Sequence, residues 1–152
     1  ALYLPKQEIP TFKGDPLEYT NFMVAFKNIV EDVTPSPSAR LNYLVQYTSG
    51  DVQDLVKSCL VMDPVQGYEA AHQLLKTRYG QNYKIATAYV DHITKSPPLL
   101  KYEDLKGLQR FSVLLTSCCN TLMMIGCINK IKNPEMMRSI VSRLPFDLRK
   151  QW

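Results

Sequence analysis

Three times along the chain a helix-capping residue stands directly before a proline, at Asp15-Pro16, Ser36-Pro37 and Asn133-Pro134, and Asp63 with Pro64 restarts the chain in a similar way. The capping side chain can accept from the free amides of a first helical turn. A proline at the first position costs nothing there, because its missing N–H would have no partner. Between these signals the apolar residues recur every three or four positions, a spacing that places them on one helix face. A chain written in this way folds as an all-α protein.

The first helix is expected over about 16–33, with Glu18 completing a capping box and Tyr19, Phe22, Phe26, Ile29, Val30 and Val33 forming its apolar stripe. Shorter helices follow over about 37–48 (Leu41, Leu44 and Val45 inward) and 51–60 (Val52, Leu55, Val56 and Cys59 inward). A fourth, after Pro64, turns Tyr68, Ala71, Leu74, Leu75 and Tyr79 inward and stops at Gly80, which is suited to a left-handed end. From Gln81 the pattern restarts, with Ile85, Ala88, Tyr89 and Ile93 in a helix that breaks at Pro97-Pro98. The longest periodic segment, 101–125, ends at Gly126, and a helix over "EMMRSIVSRL" follows Asn133-Pro134. A last helix begins at Pro145, Phe146 and Asp147. No strand is expected, although the prolines of "LYLPKQEIP" keep it extended and able to lie along a groove or edge.

With 45% hydrophobic and 21% charged residues the composition is globular, and no run reaches the ~18 apolar residues of a membrane span. The N-terminal residues lack the pattern of a secretion signal. Cys59, Cys118, Cys119 and Cys127 are spaced poorly for a disulfide framework and read as reduced, mostly buried thiols of a cytosolic chain. Charge is uneven: residues 1–80 carry seven basic and nine acidic side chains, net −2, whereas residues 81–152 carry eleven and five, net +6. Two units with different surroundings follow, the second able to attract nucleic acid or an acidic partner through scattered charges.

Little in the sequence points to chemistry. His72 and His92 both lie within helices and neither belongs to a metal-binding spacing, so both are expected as partly exposed helix residues. No Cys-x-x-Cys occurs, and an apolar helix would keep Cys118 and Cys119 protonated. Gly14 is followed by Asp15, whose charge would repel a phosphate at the helix start. The neighbouring carboxylates Glu31/Asp32 and Glu103/Asp104 read as solvated faces. The aromatics follow the apolar stripes and read as core; so do Met123, Met124, Met136 and Met137, with an adaptable interface as their other use. No enzyme, metal or cofactor is expected.

Three motifs carry a resemblance. Leu4-Pro5-Lys6 is followed by Pro10-Thr11-Phe12-Lys13-Gly14-Asp15-Pro16 and the spaced aromatics Tyr19, Phe22 and Phe26. Leu75, Arg78, Tyr79 and Gly80 form a second box, and Leu144, Pro145, Leu148, Arg149 and Trp152 a third. In this order they resemble the capsid region of retrotransposon Gag polyproteins of the Bel/Pao group, which usually carry tryptophan where this chain has Tyr19. The resemblance implies two small helical lobes of the capsid type with about eight helices: an extended segment over 1–15, an N-terminal lobe over 16–80 and a C-terminal lobe over 81–152, truncated or reduced.

It also implies a cytoplasmic protein that self-associates into virus-like particles around the element's RNA. A host gene domesticated from such an element would read the same in this window. The alternative is therefore a host adaptor that binds peptide or protein partners through its lobes. The zinc knuckle of related Gag proteins is absent from this segment.

Overall fold

The computed structural model describes residues 4–5, 7–98 and 105–145. Among these residues it is all-α: seven α-helices, a five-residue π-helical turn, a short 3-10 turn and no strand. The expected eighth helix after Pro145, the first residues of the 101–125 segment, Lys6, Glu103, Asp104 and Trp152 lie outside the described residues. Backbone contacts divide the chain into two compact units at Gln81 and Asn82.

In the first unit, α1 (Pro16–Phe26) starts where the Asp15 carboxylate accepts from the Leu17 amide at 3.0 Å, with Pro16 in the first turn. The helix does not run on regularly to 33. Residues Lys27–Glu31 form a π-helical turn, closed by the Asp32 amide bonding back five residues to the Lys27 carbonyl at 2.9 Å. One extra residue in a turn rotates everything beyond it by about 100°. Val33, expected on the buried stripe, is accordingly 70% exposed, while Val30 remains in the core.

α2 (Pro37–Gln46) is capped by Ser36, whose hydroxyl accepts from the Ala39 amide at 3.3 Å. The Thr48 hydroxyl, buried beneath its end, donates to the Leu44 carbonyl at 2.8 Å. α3 (Gly50–Lys57) places Val52 and Val56 inside, and α4 (Pro64–Tyr79) places Tyr68, Ala71 and Leu75 inside. Leu74, expected inward, lies partly exposed. Gly80 ends α4 with φ −106°, so it is not the left-handed stop that its position suggested. A strap over residues 7–13 completes this core by burying Ile9 and Phe12. Phe12 forms an isolated parallel bridge with Thr48.

The second unit contains α5 (Asn82–Lys95), α6 (Leu105–Met124) and α7 (Pro134–Val141). Their buried faces carry Ile85, Tyr89 and Ile93, then Phe111, Cys118 and Leu122, then Met136 and Ile140. Gly126 stops α6 in the left-handed region at φ 74°, and Asn133 caps α7 by accepting from the Met136 amide at 2.9 Å. Met123 and Met124, read from the sequence as core, are exposed. Leu105, at the start of α6, is exposed as well. Burial pushes the Cys118 thiol up to about 12, with the adjacent Cys119 adding to the shift, and all four cysteines are free.

Candidate functional site

Two of the three motifs meet in the first unit. Phe12, delivered by the strap, stacks on Phe22 with ring centres 5.3 Å apart and meets Tyr79 edge-on at 5.4 Å and Tyr19 edge-on at 6.0 Å. Phe26 extends the row from Phe22 at 5.9 Å. Aromatic pairs of this kind contribute about 0.5–1.5 kcal/mol each beyond the area they bury. Burial of the Tyr19 phenol raises its pKa.

Two glycines make the closure possible. Gly14 has φ +108°, a region that favours glycine, and a Cβ there would stand 3.2 Å from Val52 Cγ2 and 3.3 Å from Tyr79 Cε1. A Cβ on Gly80 would stand 2.2 Å from Tyr19 Cε1, inside the ring's own volume. The strap and α1 are thus clasped to the end of α4, while Asp15 and Pro16 set the start of α1 and Arg78 lies exposed. The third motif falls in the second unit, where Leu144 is half-buried and Pro145 buried; Leu148, Arg149 and Trp152 lie outside the described residues.

A polar cluster, missed by sequence reasoning, lies at the π-helical turn. The turn brings Glu31 inward, against its reading as a solvated residue, whereas Asp32 stays at the surface and pairs with Lys27 at 3.1 Å. The Tyr68 hydroxyl donates to Glu31 Oε1 at 2.6 Å. With that proton committed, the Tyr68 oxygen accepts from His72 Nε2 at 2.8 Å, and the same nitrogen lies 3.2 Å from Glu31 Oε1. Arg40 closes the cluster: its guanidinium donates to the Glu31 carbonyl at 2.7 Å and to the Thr34 carbonyl, and lies 5.8 Å from the centre of the Tyr68 ring.

Burial, reinforced by the Glu31 carboxylate, pushes the Tyr68 phenol far up and keeps its proton in place. Burial lowers the His72 pKa, against the opposing pull of Glu31. His72 is therefore a half-buried, neutral joint between α4 and the π-helical turn. Its partial exposure on a helix is as expected from the sequence; its place in a hydrogen-bonded cluster is not. Glu31 and Tyr68 are 37 positions apart, and no local pattern links them. Chemically, the free ring nitrogen of His72 gives the cluster a site for proton uptake. His92 is exposed, as expected from its helix position. Among the described residues no group of three or more histidine, cysteine, aspartate or glutamate side chains is placed to hold a metal ion.

These observations define an all-α protein, among the described residues, in which two of the three recognisable motifs converge on packing within one helical unit. The chain belongs to the family described as "Protein of unknown function (DUF1759)", whose profile matches residues 12–152, a family typically found in retrotransposon Gag and polyprotein regions. No curated protein matches the chain, and no solved structure does. Among the described residues no helix is long and apolar enough to cross a membrane.

Proposed function

We propose that the chain is a structural, non-enzymatic Gag module of the Bel/Pao type that self-associates into a cytoplasmic, capsid-like shell around element RNA. The observation that carries this reading is the family match over 12–152, together with the use of two signature motifs as packing. Weak contacts repeated over many copies are sufficient for assembly, because multiplicity amplifies modest patches. The exposed Met123 and Met124 suit such a contact, since a flexible thioether adapts to irregular surfaces. The net +6 of residues 81–152 supports attraction to RNA.

Light scattering coupled to chromatography, with electron microscopy at rising protein and salt concentration, tests the proposal. Concentration-dependent particles are expected; a monomer under every condition would count against it. The second reading, a domesticated adaptor that binds peptides, is favoured by the way the first unit already holds its own strap through Ile9 and Phe12. Saturable binding of a partner peptide without particle formation would favour that reading.

A further inference from the structure

The strap over residues 7–13 is a short separate piece seated in a groove, and a single glycine joins it to the body that forms the groove. Its backbone is held by two bonds: the Phe12 amide donates to the Tyr47 carbonyl at 2.8 Å, and the Ser49 amide donates to the Phe12 carbonyl at 3.1 Å. Its side chains anchor at Ile9 and Phe12 alone; Gln7, Glu8, Pro10, Thr11 and Lys13 are exposed. The joint is Gly14 at φ +108°, after which Asp15 and Pro16 fix the helix start. Glycine takes positive and negative φ with similar ease, so the closed joint can open without steric cost at that residue. Short, tightly turned hinges are also where identical elements exchange between copies.

We propose that the groove receives the strap of a second copy of this chain, so that reciprocal strap exchange links copies through Phe12. This rests on the self-association reading and names a contact for it. The groove cannot distinguish its own strap from an identical one; only the tether does, by holding its own strap at an effective concentration in the millimolar range. Loss of the closed turn at Gly14 removes that advantage, while each strap keeps the same two backbone bonds and the same aromatic seat in its partner. Two copies related by a two-fold axis satisfy both grooves at once.

The test is Gly14→Ala in the full chain. Alanine disfavours φ +108° and leaves Phe12 untouched, so a doubled mass by light scattering is expected, with the helical circular dichroism retained. A synthetic peptide of residues 7–14 in excess should dissociate that dimer, and the same peptide with Phe12→Ala should not. A helical Gly14→Ala chain that stays monomeric at every concentration, or a dimer indifferent to the peptide, overturns the proposal.

If the variant loses its helical signal, the unmodified chain decides. A fluorescent peptide of residues 7–14 at millimolar concentration should bind saturably and Phe12-dependently, and its failure to bind overturns the proposal. Particles that form normally in Gly14→Ala and ignore the peptide would sink strap exchange yet leave shell assembly standing. A strap-linked dimer that never grows further would do the reverse.

Discussion

The ring of Tyr19 occupies the space that any side chain on Gly80 would need, its Cε1, Cζ and hydroxyl oxygen lying 2.2, 2.3 and 2.7 Å from the position of a Cβ. Gly80→Ala must therefore push Tyr19 aside. Overpacking of this kind costs roughly 1–3 kcal/mol, and chemical denaturation should show a loss of that size. Truncating Tyr19 to alanine in the same chain should recover part of it, giving a coupling that a double-mutant cycle detects. Additive losses would mean that the ring does not stand over Gly80.

Phe12→Ala removes a fully buried ring that touches three other aromatics. A loss of about 3–5 kcal/mol is expected from such a truncation. Heteronuclear spectra should show the perturbation concentrated in residues 7–80. A loss under 1 kcal/mol would show that the strap is not seated in the core.

The His72 cluster makes stability fall on the acid side. Burial places the folded pKa of His72 below its ordinary 6.5, so the folded state binds fewer protons than the unfolded chain in that window. Its contribution is complete above about pH 6.5 and is lost as pH falls through the lower, folded value. His72→Gln should flatten this decline. Glu31 opposes the shift, so Glu31→Gln should push the His72 titration further down in an NMR experiment. An upward movement would contradict the assigned geometry.

Cys118 should resist alkylation. With its thiol pushed up to about 12 and buried on α6, it carries little thiolate at pH 8. Site-resolved mass spectrometry after brief iodoacetamide treatment should find Cys118 unmodified in the folded chain and modified in denaturant. Modification of Cys118 in the folded chain at the rate of an open thiol would exclude its burial.

The starts of the helices were legible because their signals are local: Asp15-Pro16, Ser36-Pro37 and Asn133-Pro134 each set a cap within three residues of the side chain that makes it. The π-helical turn was not legible, since one added residue changes no local preference and shows only in what it rotates. Val33 moved out and Glu31 moved in for that reason. The clasp was half legible. Phe12, Gly14, Tyr19, Tyr79 and Gly80 stood out as motif residues, yet the seating of Tyr19 on Gly80 joins segments too distant for any spacing rule. Met123 and Met124 lie between the fully buried Leu122 and the half-buried Ile125, on the side of α6 turned to solvent, and an apolar side chain alone does not tell which side it takes.

The clasp also dictates an order of events during synthesis. Phe12 leaves the ribosome some 67 positions ahead of Tyr79, its edge-on partner. At roughly 5–20 residues per second, the strap and the aromatic face of α1 spend about 3–13 s without the end of α4 that packs on them. During that interval Phe12 can already reach Phe22 and the backbone of Tyr47 and Ser49, and the end of α4 is the last piece needed to close the first unit.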